Sequence, residues 1–330
     1  GKEVVFVNMT NQIERNSENE TECTSTNICD AGENGGYAVG LTESECNELG
    51  YTWTTEKATW SEAKKDIYWR IIRTNADGSI KLLYAGTSPD SDKAYVGLSE
   101  FNTTSNTTSN DPMYVGYKYG TSGSLENNRT NDNDSTIKTY IDNWYKNNLT
   151  AYTKYLSKDA VYCNDRNLAS GQTYSTTNDF DYASVERIET NKQPTYNCTN
   201  MSDAFSVNNT SAKLDYPVGL MTIDELSYAG GESYTTLTAP YAWYYTNANE
   251  ESSYGSAYFL PLSTIYWDGS GSGFWIVVGS SDPGCLDTVS VDYSFAVRPS
   301  VSLLSCNLIS RGDGSSENPY IVYTGSGVCE

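Results

Sequence analysis

The sequence predicts an α+β fold on three observations: one long hairpin pattern, two helices with explicit start and stop signals, and short strand-like runs spaced by polar loops. The hairpin is the stretch IYWRIIRTNADGSIKLLYAG, from Ile67 to Gly86. Two runs of β-branched, aromatic and aliphatic residues flank Asn75-Ala76-Asp77-Gly78, residue types that tolerate the positive φ of a tight reversal. Strict alternation places Trp69, Ile71 and Arg73 on one face and Tyr68, Arg70 and Ile72 on the other. In the second arm Ile80, Leu82 and Tyr84 alternate with Lys81 and Leu83. Both faces carry apolar side chains, so the hairpin is expected at the centre of a sheet and not at a solvated edge.

The first helix is read in NDNDSTIKTYIDNWYKNNL, capped by Asp134 or Ser135. Ile137, Tyr140, Ile141, Trp144 and Tyr145 fall at i, i+3, i+4, i+7 and i+8, a single apolar stripe. The second lies in YPVGLMTIDELSYAGG, where Thr222 and Glu225 form a capping box and Gly230 stops the turn. A shorter helix with Cys46 inside it is expected between Thr42 and Gly50. Strands are expected at Lys2 to Thr10, Met113 to Tyr119, Phe274 to Val278, Thr288 to Val291, Phe295 to Leu304 and Tyr320 to Tyr323. Arg298 followed by Pro299 points to a sheet end or bulge within the long one. Residues 1–59 read as a disulfide-tied extension without apolar content for its own core, 60–305 as the main domain, and 306–330 as a C-terminal strand segment.

Twenty-one basic against forty-two acidic residues leave a net charge of −21. Such a chain repels phosphate backbones and anionic membrane surfaces, so nucleic acid is a poor partner. Eight cysteines occur, Cys23, Cys29, Cys46, Cys163, Cys198, Cys285, Cys306 and Cys329, with no C-x-x-C pair and no histidine anywhere. That pattern favours four disulfides over a metal site, and hence an oxidising, extracellular compartment. Cys163 and Cys198 bracket one polar excursion and are its natural staple. The lack of a signal-peptide pattern and of an apolar run near twenty residues gives the expectation of either a mature ectodomain or a processed product, with no membrane insertion. Eleven Asn-x-Ser/Thr sequons make glycosylation a candidate, at Asn8, Asn19, Asn102, Asn106, Asn128 and Asn148 and also at Asn133, Asn197, Asn200, Asn208 and Asn209.

Taken in order, YWRIIRTNADGSIKLLYAGT, STIKTYIDNWYKNNL, the cysteine of VYCNDR, YPVGLMTIDELSYAGG and FAVRPSVSL resemble a family of secreted bacterial surface domains. That family in turn looks like the C-type-lectin-like fold shared by sugar-binding lectins, variable ligand-binding proteins and formylglycine-generating enzymes. The resemblance implies two helices packed on a small, irregular antiparallel sheet, with long loops forming a binding surface. Cys163-Asn164-Asp165 and Trp267-Asp268-Gly269 do not match the calcium-dependent sugar motifs of the wider fold. The reactive cysteine pair of the formylglycine-generating members also has no counterpart, so no cofactor and no metal are expected.

Without histidine, Ser-His-Asp and Cys-His catalysis are excluded. Paired carboxylates such as Asp179 with Asp181, or Asp287 with Asp292, leave a carbohydrate-active hydrolase as the enzymatic alternative. The RGD of Arg311, Gly312 and Asp313 reads as turn residues before a strand. The candidate ligand-binding residues are Trp243, Tyr244, Tyr245, Asn247, Tyr254, Trp267 and Asp268, aromatics among small polar residues as in recognition loops. The expectation is a non-enzymatic, lectin-like surface protein. It would bind a glycan or protein ligand as an adhesin and be displayed on, or build, an extracellular pilus-like filament by adding Lys2 to Thr10 to a neighbouring copy's sheet, with a monomeric carbohydrate-binding ectodomain as the alternative.

Overall fold

The computed structural model of the chain describes residues 3–6, 21–22, 27–30, 37–38, 43–48, 52–55, 61–62, 66–88, 94–103, 111–236, 258–259, 261–264, 266–267, 273–278, 282 and 284–323. Two compact units are present, one of residues 7–66 and one that combines residues 1–6 with 67–330. The division differs from the expected one at both ends. The strand Glu3–Phe6 and the C-terminal strands Ile309–Arg311 and Tyr320–Val322 all join the main sheet.

The smaller unit contains a three-stranded antiparallel sheet, in which Asn27–Asp30 lies between Tyr37–Ala38 and Thr52–Thr55. A two-stranded ribbon pairs Thr21–Glu22 with Ser61–Glu62. The helix Glu43–Glu48 falls where its signals predict and buries Cys46.

The larger unit is α+β. Its main sheet has seven strands in the order Val218–Gly219, Ser300–Leu303, Ile80–Gly86, Ile67–Thr74, Glu3–Phe6, Tyr320–Val322 and Ile309–Arg311. The hairpin is central, as its two apolar faces demand. Glu3–Phe6 pairs antiparallel with Ile67–Arg70 on one side and parallel with Tyr320–Ile321 on the other. Both its edges are thereby filled within the chain, leaving none for a neighbouring copy in this arrangement. With seven strands and one parallel pair, the sheet is larger and more mixed than the small antiparallel one expected.

Strict alternation fails inside the hairpin. Ile71 pairs with Leu82 and Arg73 with Lys81, so Ile72 is an extra residue in the first strand, a β-bulge. Cross-strand partners share a face. Arg73 therefore moves off the face of Trp69 and Ile71 and joins Lys81 on the other. This correction of one residue is what builds the site described below.

Each face receives one helix. The long helix Thr136–Asn148 is capped by the Ser135 side chain, which accepts from the Lys138 amide, and it buries Ile137, Ile141 and Tyr145. Its Trp144 closes on the face of Trp69 and Tyr84, with edge-on ring centroids 6.3 and 5.6 Å away. The short helix Ile223–Tyr228 meets the face of Arg73 and Lys81 through Glu225.

A second, six-stranded sheet runs Glu232–Ser233, Cys285–Ser290, Gly273–Val278, Tyr258–Phe259, Ser294–Ala296 and Leu98–Glu100. The strand expected from Phe295 to Leu304 is thus two strands, Ser294–Ala296 and Ser300–Leu303, in different sheets. Arg298 and Pro299 make the break. The buried guanidinium donates to the Tyr84 carbonyl, and the Pro299 carbonyl accepts from the Tyr84 amide. Met113 to Tyr119, expected as a strand, begins instead as the single turn Pro112–Val115, because the Asp111 carboxylate caps it and proline occupies its first position.

Candidate functional site

Among the described residues, a cleft of about 650 Å³ opens where the turn of the hairpin, the first turn of Ile223–Tyr228 and the excursion between Cys163 and Cys198 converge. The excursion is held by the expected Cys163–Cys198 disulfide, with a Cα–Cα distance of 5.7 Å. Both cysteines line the cleft, together with Tyr196 and Asn197 beside the bridge.

The hairpin wall is fixed from beneath by buried charge. Glu225 Oε1 accepts from Arg73 Nε at 2.7 Å and from Lys81 Nζ at 2.9 Å. Its Oε2 accepts from Lys81 Nζ at 2.8 Å and from the Thr222 amide at 2.9 Å, which completes the predicted capping box. Burial pushes the Glu225 carboxyl up, but Lys81 and Arg73 outweigh burial and hold it below the ordinary range. Burial drives the Lys81 ammonium down against the pull of Glu225. The Arg73 guanidinium lies 4.5 Å from the centroid of the Tyr196 ring. Tyr196 in turn packs on Tyr228 at 4.3 Å, and about half of each tyrosine is exposed (50% and 51%).

At the opposite wall Arg187 grips Asp224 with two nitrogens at 2.9 Å each and reaches Asp165 at 2.5 Å. The Thr195 amide also donates to Asp224. Asp77, in the hairpin turn, accepts from Ser79 and from Ser157 Oγ at 2.6 Å. These donors outweigh its partial burial and keep the carboxyl below its ordinary value. Asp159 accepts from Asn208 Nδ2 at 2.8 Å with one oxygen.

The cleft acids are thus largely consumed by the protein's own donors. Of the groups on the cleft-lining residues, Arg73 Nη2, the second oxygen of Asp159 and the side-chain amide of Asn197 have no hydrogen-bond partner among the described residues, and Tyr196 beside them is half exposed. That is a mixed set of donors and acceptors beside an aromatic ring, suited to holding a polyhydroxylated ligand. No two of these carboxylates stand free as an acid–base pair. Neither Asp179 and Asp181 nor Asp287 and Asp292 line the cleft.

Of the residues expected to bind ligand, Trp243, Tyr244, Tyr245, Asn247, Tyr254 and Asp268 lie outside the described residues. Trp267 is placed through its backbone, paired with Phe180. The residues that line the cleft carry one signal in the sequence, a cysteine-bracketed excursion ending in Tyr196-Asn197-Cys198. Arg73 was not legible as a site residue, because only the bulge at Ile72 turns it toward Glu225.

The cysteine expectation needs one correction. Cys46 and Cys306 are disulfide-bonded, but Cys285 carries a free thiol. Its partner across the parallel pair is Glu232 and not a second cysteine. Cys23 and Cys329 lie outside the described residues, and Cys29 is placed only as backbone. Two sequons are also corrected. Asn102 and Asn128 are buried, and the Nδ2 atoms that would carry a glycan are enclosed by the fold. Asn148 is exposed, whereas Asn8, Asn19 and Asn106 lie outside the described residues. Asn209 spends its Nδ2 on the Met201 and Ala204 carbonyls, both at 2.7 Å.

One acidic trio among the described residues, Asp134, Asp142 and Asp215, gathers its oxygens closely enough to suit a cation. The Lys138 ammonium occupies that position, at 3.1, 2.5 and 2.9 Å from the three carboxylates. Arg311 of the RGD tripeptide ends the strand Ile309–Arg311, paired with Ile321, and Gly312, with φ +100°, and Asp313 begin the turn toward Tyr320–Val322. No helix among the described residues is long and apolar enough to cross a membrane.

No family model, no curated protein and no solved structure matches this chain.

Proposed function

We propose that this chain is a secreted, cell-surface binding protein with a C-type-lectin-like architecture, acting by contact and without turnover. Its ligand is a glycan, held in the cleft between the hairpin turn and the Cys163–Cys198 excursion. The observation that carries this reading is the open polar set of Arg73 Nη2, Asp159 and Asn197 next to the half-exposed Tyr196. Hydroxyl groups satisfy donors and acceptors at once, and a sugar ring offers C–H surface to an aromatic side chain. Support for an oxidising compartment comes from the Cys163–Cys198 bridge, the composition of the chain and its charge. Support for binding over hydrolysis comes from the cleft acids, which the chain's own arginine, serine and asparagine donors already engage.

The test is a glycan array followed by titration calorimetry on the best binder, with Tyr196→Ala as the matched variant. The reading expects saturable binding that weakens in the variant while the chain stays folded, with only the small drop in unfolding midpoint that loss of the Tyr228 and Arg73 contacts brings. An array without binders, or binding indifferent to Tyr196→Ala, overturns it. Saccharide turnover abolished by changing a single Asp or Glu would favour the hydrolase instead.

A further inference from the structure

Resting on the reading of the cleft as a glycan site, we infer that the saccharide it selects carries a carboxylate, as a uronic acid does, and that Arg73 receives it.

Arg73 is built as a presented fork. Its Nε is tied to Glu225 Oε1 at 2.7 Å, and Nη1 makes one long contact of 3.4 Å to the Thr74 carbonyl. Nη2 meets no hydrogen-bond partner among the described residues. The side chain is only 18% exposed, and it lines the cleft. The guanidinium plane is fixed on one side by the Tyr196 ring. Glu225 is in turn immobilised by Lys81 and by the cap of Ile223–Tyr228. A guanidinium held at Nε and over its face keeps its terminal nitrogens for a planar oxyanion, and the ordering cost of a free arginine is largely met in advance.

Charge bookkeeping over named groups agrees locally. Arg73 and Lys81 against Glu225 leave one positive charge at the hairpin wall. Arg187 against Asp165 and Asp224 leaves one negative charge at the far wall, suited to hydroxyl donors. Asp77 and Asp159 oppose an anion, and so does the net −21 of the chain. Selection must therefore come from the direct hydrogen-bonded pair with Arg73 and not from long-range attraction.

The experiment measures affinities of the purified full chain for a hexuronic acid oligosaccharide, its methyl ester, the neutral hexose counterpart and acetate. A charge-assisted pair of this kind is expected to favour the acid over its ester by about 10- to 100-fold. In Arg73→Gln that preference should vanish, and in Arg73→Lys part of it should return. The ester comparison uses unaltered protein, so it stands even if the arginine variants fold poorly. Equal affinity for the acid, its ester and the neutral hexose overturns the carboxylate inference and leaves the glycan reading intact. Acetate binding as tightly as the uronate overturns the saccharide part and leaves an anion site. No binding by any of the saccharides overturns both.

Discussion

Arg73 Nε and Glu225 Oε1 stand 2.7 Å apart, although 152 positions separate them in the chain. The contact joins the bulged strand of the hairpin to the first turn of Ile223–Tyr228, with Lys81 fully buried against the same carboxylate. Removing the carboxylate strands two cations, one of them without access to water. Breaking a buried pair by deleting one partner costs about 3–5 kcal/mol, because the remaining charge is uncompensated. Glu225→Ala should therefore lower stability by that amount in urea unfolding, with Glu225→Gln milder. Adding Lys81→Met to the alanine variant should recover part of the loss.

The Cys163–Cys198 bridge closes a loop with a sequence separation of 35. In the chain-entropy model a loop of this size stabilises by about 3–4 kcal/mol. The Cys163→Ser, Cys198→Ser double variant should lose stability on that scale. Because Tyr196 and Asn197 adjoin the bridge, hydrogen exchange of that segment should also rise more than that of the hairpin. Equal exchange in both would show that packing, and not the bridge, holds the cleft wall.

Three carboxylates share the Lys138 ammonium, and two of them, Asp142 and Asp215, are shifted in opposite directions. Burial, helped by Asp215 and Asp134 and opposed by Lys138, pushes Asp142 up to about 6 from its ordinary 3.8. A carboxyl whose folded pKa is raised binds its proton more tightly in the native state. Its contribution to stability is largest at acid pH and falls as pH rises from 3.8 to about 6. Asp215, held low by Lys138, contributes in the opposite sense: its stabilisation is present above 3.8 and lost as pH falls further. Lys138 itself is raised, so its contribution is full below 10.5 and is lost at higher pH. In Asp142→Asn its share of the decline between pH 3.8 and 6 should disappear from a plot of unfolding free energy against pH, leaving the part that raised Asp181 and Glu189 contribute.

Gly219 has no room for a side chain. A Cβ there would lie 2.5 Å from the Tyr162 ring, itself fully buried beside Lys81. Gly219→Ala should cost about 1–3 kcal/mol through forced displacement of that ring. Tyr162→Ala removes the two ring atoms nearest that Cβ, so adding it should relieve most of the cost of the alanine relative to Tyr162→Ala alone, a coupling that a double-mutant cycle measures.

Local signals were legible wherever the residues that create an element adjoin in the chain. The turn at Asn75 to Gly78, the cap at Ser135, the Thr222–Glu225 box and the Cys163–Cys198 staple were each readable from a few neighbours. The hairpin's central position was also readable, since apolar residues on both faces of a strand call for cover on both, although Lys81 on one of them is buried by pairing with Glu225. The break at Arg298 and Pro299 was visible as an anomaly but not as a change of sheet, because the Tyr84 groups that satisfy it are far away in sequence.

Sequence alone therefore determined the α+β class, the two capped helices, the central hairpin and one disulfide, all consequences of short-range backbone and burial preferences. Tertiary structure decided which face Arg73 occupies, that Lys81 is buried, and that the cleft forms at the Cys163–Cys198 excursion. The reason is register. One extra residue at Ile72 reverses the facing of everything after it in the strand, and the carboxylate that makes this reversal favourable, Glu225, comes from a helix that no local pattern connects to the hairpin.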